Sequence, residues 1–146
     1  MTAKAKSSFA RTKTRAAVAH ANPQPGVFRV AAIQMASGPS VAANLSEAER
    51  LIGMAAAQGA KLVVLPEYFC IMGKKESDKV AAREVEGKGP IQKFLSTMAR
   101  KHKIWIVGGS VPLAASVPSK VRNSCLVYDD KGKQAARQSA DSIFRT

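Results

Sequence analysis

Lys61-Leu-Val-Val-Leu-Pro-Glu-Tyr-Phe-Cys70 is the stretch on which the reading of this chain turns. Leu62 to Leu65 is a short unbroken apolar run closed by a breaker, the pattern of a strand buried on both faces. Pro66 ends it, because proline has no N–H to give to a sheet ladder. Glu67 therefore stands just past the end of a buried strand, followed by Tyr68 and Phe69. In layered α/β proteins, ligands gather at that end of the strands. A carboxylate packed there against apolar groups would have its charged form disfavoured, as suits a general base. The position also suits an acid that merely opens a helix at the positive end of its dipole, and spacing alone favours that plainer reading.

Upstream, Val27 to Met35 reads as a first strand, mostly apolar and hence buried. Ser37-Gly-Pro-Ser40 is a turn, with Ser40 as N-cap of a helix whose apolar face is Val41, Leu45, Ala48, Ile52 and Ala55. Gly59 suits the left-handed position that ends it. Strand, helix and strand form a βαβ unit, so the two strands should run parallel. Downstream, a helical turn or two is expected over 77–83. Pro90 opens a further helix with Ile91, Phe94, Leu95 and Met98 on its buried stripe. Ile104 to Ser110 reads as another buried strand, Val111 to Lys120 as a loop, and Val121 to Tyr128 as a strand. Asp129-Asp-Lys-Gly132 is a tight-turn signal, and Lys133 to Arg137 should pair back antiparallel.

The chain of 146 residues is long enough for one domain with its own core. No stretch approaches the ~20 consecutive apolar residues of a membrane span. The two cysteines, Cys70 and Cys125, are too few for a disulfide framework or a zinc site, and read as packed, reduced thiols. No metal or cofactor motif stands out, and a cytoplasmic setting is expected. The net charge of +13 comes partly from residues 1–26, where Lys4, Lys6, Arg11, Lys13 and Arg15 precede the first acid, Glu47. That segment reads as a disordered basic extension, as a transit peptide, a solubilising tail or an upstream start. Aromatic–basic interleaving and helix-turn-helix patterns are missing, so specific nucleic-acid binding is not expected.

Phe28-Arg-Val-Ala-Ala-Ile-Gln34, Gly59-Ala-Lys-Leu-Val-Val-Leu-Pro-Glu-Tyr-Phe69, Ile104-Trp-Ile-Val-Gly-Gly-Ser110 and Arg122-Asn-Ser-Cys-Leu-Val-Tyr128 follow one another in an informative order. Together they resemble the N-terminal half of the nitrilase superfamily of carbon–nitrogen hydrolases, in its amidase-like branch. The resemblance covers about 27–137 and implies an α/β fold, the first half of an αββα sandwich, in a domain spanning 27–146. It implies Glu-Lys-Cys chemistry on a small-molecule amide, nitrile or carbamoyl group, through a thioester and without metal or cofactor, in a protein that is often dimeric.

Glu67 matches the family's general base. The lysine of the family, carried on a segment such as Ala-Arg-Tyr-Asp-Lys-Ile-His-Leu-Phe, falls on Ala140 without gaps, or on Ser142 when the aspartates are matched. Neither residue offers a cation to an oxyanion. The nucleophilic cysteine has no counterpart here, and Cys125 and Cys70 lie on other segments. The expectation is a truncated member that keeps Glu67 and is inactive alone. The alternative is a non-catalytic binding subunit that associates with a full-length relative.

Overall fold

A computed structural model describes residues 26–141. The basic extension, apart from Gly26, and Ser142 lie outside the described residues. Strand β1 (Arg29–Ala32) leads to helix α1 (Val41–Ala57), and β2 (Ala60–Val64) follows. Then come α2 (Glu76–Ala81), α3 (Pro90–His102), β3 (Trp105–Val107), β4 (Val111–Ala114), β5 (Val121–Tyr128) and β6 (Gln134–Asp141). The strands make one six-stranded sheet in the order β1-β2-β3-β5-β4, with β6 also paired to β5. The β1–β2 and β2–β3 pairs are parallel, whereas β5 runs antiparallel to β3, β4 and β6. The parallel βαβ unit read from the sequence is present.

Local chemistry sets the element ends. Ser40 caps α1, its hydroxyl accepting from the Ala43 N–H. Gly59 follows the helix with φ 84°, a left-handed angle that glycine adopts without steric cost. Pro90 is the first residue of α3, where its missing N–H has no role. Helices α1 and α3 cover one face of the sheet. Ile52, Val63, Leu95, Ile106 and Leu126 are fully buried there, each contributing about 1.5–3 kcal/mol.

Two features depart from the sequence reading. The segment after Ser110 is a strand, β4, rather than a loop. Pro112 sits within it, which a strand at the rim of a sheet tolerates. The second departure concerns the three strands read as buried: β2 is buried on one face only, β1 is largely exposed, and β3 carries an exposed Trp105, because nothing among the described residues covers their second face. Val63 is enclosed by the helices, but Leu62 and Val64 are half-buried on the opposite face. The registers Val30↔Leu62↔Trp105 and Val64↔Val107↔Val127 extend that face across four strands. It is apolar and open, with Val30 50% and Trp105 44% exposed.

Glu84 ties the loop before α3 to the sheet. Its backbone N–H donates to Pro112 O and its carbonyl accepts from the Ala114 N–H. Its buried carboxylate accepts from the N–H groups of Ile91 (2.6 Å) and Gln92 (3.1 Å) and from Gln92 Nε2 (3.0 Å). The negative charge thus rests on the orphan donors at the α3 N-terminus.

Candidate active site

Glu67 lies three residues beyond β2, in a turn whose backbone is held from several sides. Leu65 continues the ladder, its N–H donating to Val107 O, and the Phe69 N–H closes the turn onto Pro66 O. Tyr68 has φ 56°, unusual for any residue but glycine or asparagine. Its N–H donates to Ser110 Oγ at 2.7 Å. Gly109, at φ 52°, passes so close that a Cβ there would overlap the Pro66 carbonyl oxygen. Behind the turn, Phe69 and Cys70 are fully buried. Their carbonyls accept from Ser37 Oγ and Asn44 Nδ2.

The side chain of Glu67 is exposed at the rim of the open face. This corrects the expectation that apolar and aromatic neighbours enclose it: Phe69 turns inward, and Tyr68 is capped by Lys79 Nζ, 4.2 Å from the ring centroid. What holds the carboxylate is Asn123 on β5, whose Nδ2 donates to Glu67 Oε1 at 3.0 Å. Asn123 alternates with Cys125 and Val127 and shares their face of the sheet. Its pairing partner on β6 is Ala140, the ungapped match to the family's lysine.

The sequence reading singled out Glu67 as the candidate; it did not single out Ser110 or Asn123. Asn123 carried a signal, since asparagine is depleted from strand interiors and this one sits in an eight-residue strand. The cysteines are not brought to the site. Cys70 is buried, with its thiol on Ser110 O and its pKa pushed up to about 12, chiefly by burial. Cys125 is half-buried and also shifted upward by burial. Neither environment favours a thiolate. His102 closes α3, and its Nε2 is buried without a partner among the described residues. A cleft of about 500 Å³ opens near the start of α3, lined by Gly87, Gln92, Lys93, Tyr128 and others, but not by Glu67. Among the described residues, no three His, Cys, Asp or Glu side chains are grouped to hold a metal.

The profile of the carbon-nitrogen hydrolase family matches residues 29–143, most of the chain. The chain belongs to the carbon–nitrogen hydrolase family. It is 36% identical over 118 residues to the deaminated glutathione amidase of Synechocystis sp., covering 80% of this chain and 43% of that protein. It is 32% identical over 143 residues to the chloroplastic omega-amidase of Arabidopsis thaliana, covering 94% and 38%. Among solved structures, the Nit3 protein of Saccharomyces cerevisiae, of branch 10 of the nitrilase superfamily, matches with 30% identity and TM-score 0.62, over 70% of this chain and 40% of that one. The amidase from Nesterenkonia sp. AN1 shares the fold, with TM-score 0.67 at 23% identity over 82% and 46%. This hydrolase-family chain therefore spans less than half the length of these relatives. The nitrilase-type α/β fold read from the sequence is the fold observed.

Proposed function

We propose that this chain supplies the general base, Glu67, of a carbon–nitrogen hydrolase site that acts on small-molecule amides. The observation that carries this reading is the carboxylate at the end of β2, presented on the open sheet face and oriented by Asn123. In the family's chemistry such a base takes the proton from a cysteine thiol as it attacks the carbonyl carbon. The leaving amine departs with a proton, and the base then activates water to cleave the thioester. Relatives named as amidases support the amide as substrate class.

The 146 residues carry no lysine at position 140 or 142 and no cysteine on a nucleophile segment. On this reading the site needs a lysine and a cysteine besides Glu67, and without them the 146 residues should release no ammonia. The test is to co-express the chain with the segment of the Arabidopsis omega-amidase that it does not match, and to measure ammonia release from a simple ω-amide. The chain alone should release none, the pair should, and Glu67→Gln should lower the rate of the pair by about 10²–10⁴-fold. Activity of the pair untouched by Glu67→Gln would refute the assignment.

A second reading is favoured by the exposed apolar face. As a non-catalytic subunit the chain would bind an intact relative through that face. It predicts a stable complex with a full-length amidase whose rate is the same whether residue 67 is Glu or Gln.

A further inference from the structure

Glu67 has two layers of support, and they do different things. The backbone of its turn is fixed by Gly109 against the Pro66 carbonyl and by Ser110 on the Tyr68 N–H. That support stops at Cα. A glutamate side chain has three further rotatable bonds, and on an exposed rim nothing in the backbone selects among its rotamers. Asn123 reaches it from β5, 56 residues away in sequence, its Nδ2 donating to Glu67 Oε1.

Asparagine in a strand interior contradicts local preference, and such a contradiction points to a site when no packing gain explains it. Here none does. Ser124, Leu126 and Tyr128 are the β5 residues buried on the helix-covered face, and Asn123 faces the other way. An amide is also suited to the task in a way that a charged or acidic group is not. It donates to the carboxylate without exchanging a proton with it, so it orients the base and leaves the base's proton inventory alone.

We propose that Asn123 is a positioning residue: by engaging Oε1 it fixes the Glu67 rotamer and leaves Oε2 as the oxygen that takes the proton. The inference rests on Glu67 being the general base. Proton transfer demands a base within hydrogen-bond reach and alignment, so a rotamer lost at this point is a rate lost.

The chain has three asparagines, Asn22, Asn44 and Asn123, so labelling with ¹⁵N-asparagine gives a sparse spectrum of side-chain amides. Asn44 is an internal control. Its Nδ2 donates to the carbonyls of Gly38 and Cys70, which do not titrate. On a pH titration through the carboxylate range, the Asn123 amide signals should move while those of Asn44 stay fixed. In Glu67→Gln the movement at Asn123 should vanish. The readout holds in solution, or by magic-angle spinning if the chain associates. It needs no Asn123 variant to fold. A wild-type Asn123 signal that ignores pH, or one that moves equally in Glu67→Gln, overturns the proposal.

The co-expressed pair separates this proposal from the reading beneath it. There Asn123→Ala should lower kcat by about 10²-fold with little change in KM, as a misplaced reacting group does. If Asn123 ignores pH while Glu67→Gln abolishes turnover, the positioning role falls and the general base stands. If Asn123 follows Glu67 but Glu67→Gln leaves turnover intact, the general base falls, and the positioning role with it.

Discussion

Tyr68 bears a left-handed backbone angle at a position where a side chain costs about 1–2 kcal/mol. The Ser110 hydroxyl is what offsets that cost, by accepting the Tyr68 N–H. Ser110→Ala should therefore destabilise the chain by about 1 kcal/mol in thermal unfolding. Gly109→Ala should cost more than that, because the new Cβ meets the Pro66 carbonyl and the residue is at positive φ. Cys70 makes a prediction of opposite kind. Burial holds its thiol protonated, with the Glu84 charge adding to the upward shift. A raised native pKa means a stability that is whole below the unfolded thiol's pKa near 9 and is lost as pH rises towards 12. Chemical denaturation at pH 8, 10 and 11 should show this loss, and Cys70→Ala should flatten it by up to about 1.4 kcal/mol per pH unit. At neutral pH a thiol reagent should titrate Cys125 before unfolding and Cys70 only after it.

At the scale of elements, α3 is anchored by an acid that the sequence reading passed over. Glu84 sits before a Gly-Lys-Gly-Pro break and looks there like one more loop charge. Its partners, the Ile91 and Gln92 amides, become visible only once the chain has folded back on itself. Glu84→Ala strands these donors in a buried site, and should cost on the order of 3 kcal/mol in denaturant titration. The parallel βαβ unit, α3 and the β5–β6 hairpin were legible because apolar spacing, caps and turn residues agree on them. Strand β4 was not, because Pro112 and the serines around it carry loop chemistry. Only pairing with β5 and with Glu84 makes that segment a strand. The site divides the same way: Glu67 follows from its own strand and breaker, whereas Asn123 matters through a contact across the sheet. That register also tests the lysine position. Ala140→Lys would put a lysine at the register position paired with Asn123, and the Asn123 signals in the same ¹⁵N titration should then report a second charge.

At the scale of the whole molecule the decisive property is the asymmetry of the sheet, helical on one side and, among the described residues, bare on the other. Among the described residues no helix is long and apolar enough to cross a membrane. Trp105, the single tryptophan, stands on it. Its fluorescence should be that of a wet indole in the chain alone, and should shift to shorter wavelength when the omega-amidase segment is co-expressed with it. Trp105→Lys should raise solubility of the chain alone and weaken that pairing.

The hairpin of β5 and β6, joined by the Asp129–Gly132 turn, has a bearing on the order in which this molecule assembles. Hairpins close within about 1–10 µs, while parallel strands wait for distant chain to arrive. Asn123 belongs to the quick part and Glu67 to the slow part. Their hydrogen bond is therefore among the last to form, and in a pulse-labelling experiment the Asn123 side chain would mark the moment the chain is finished.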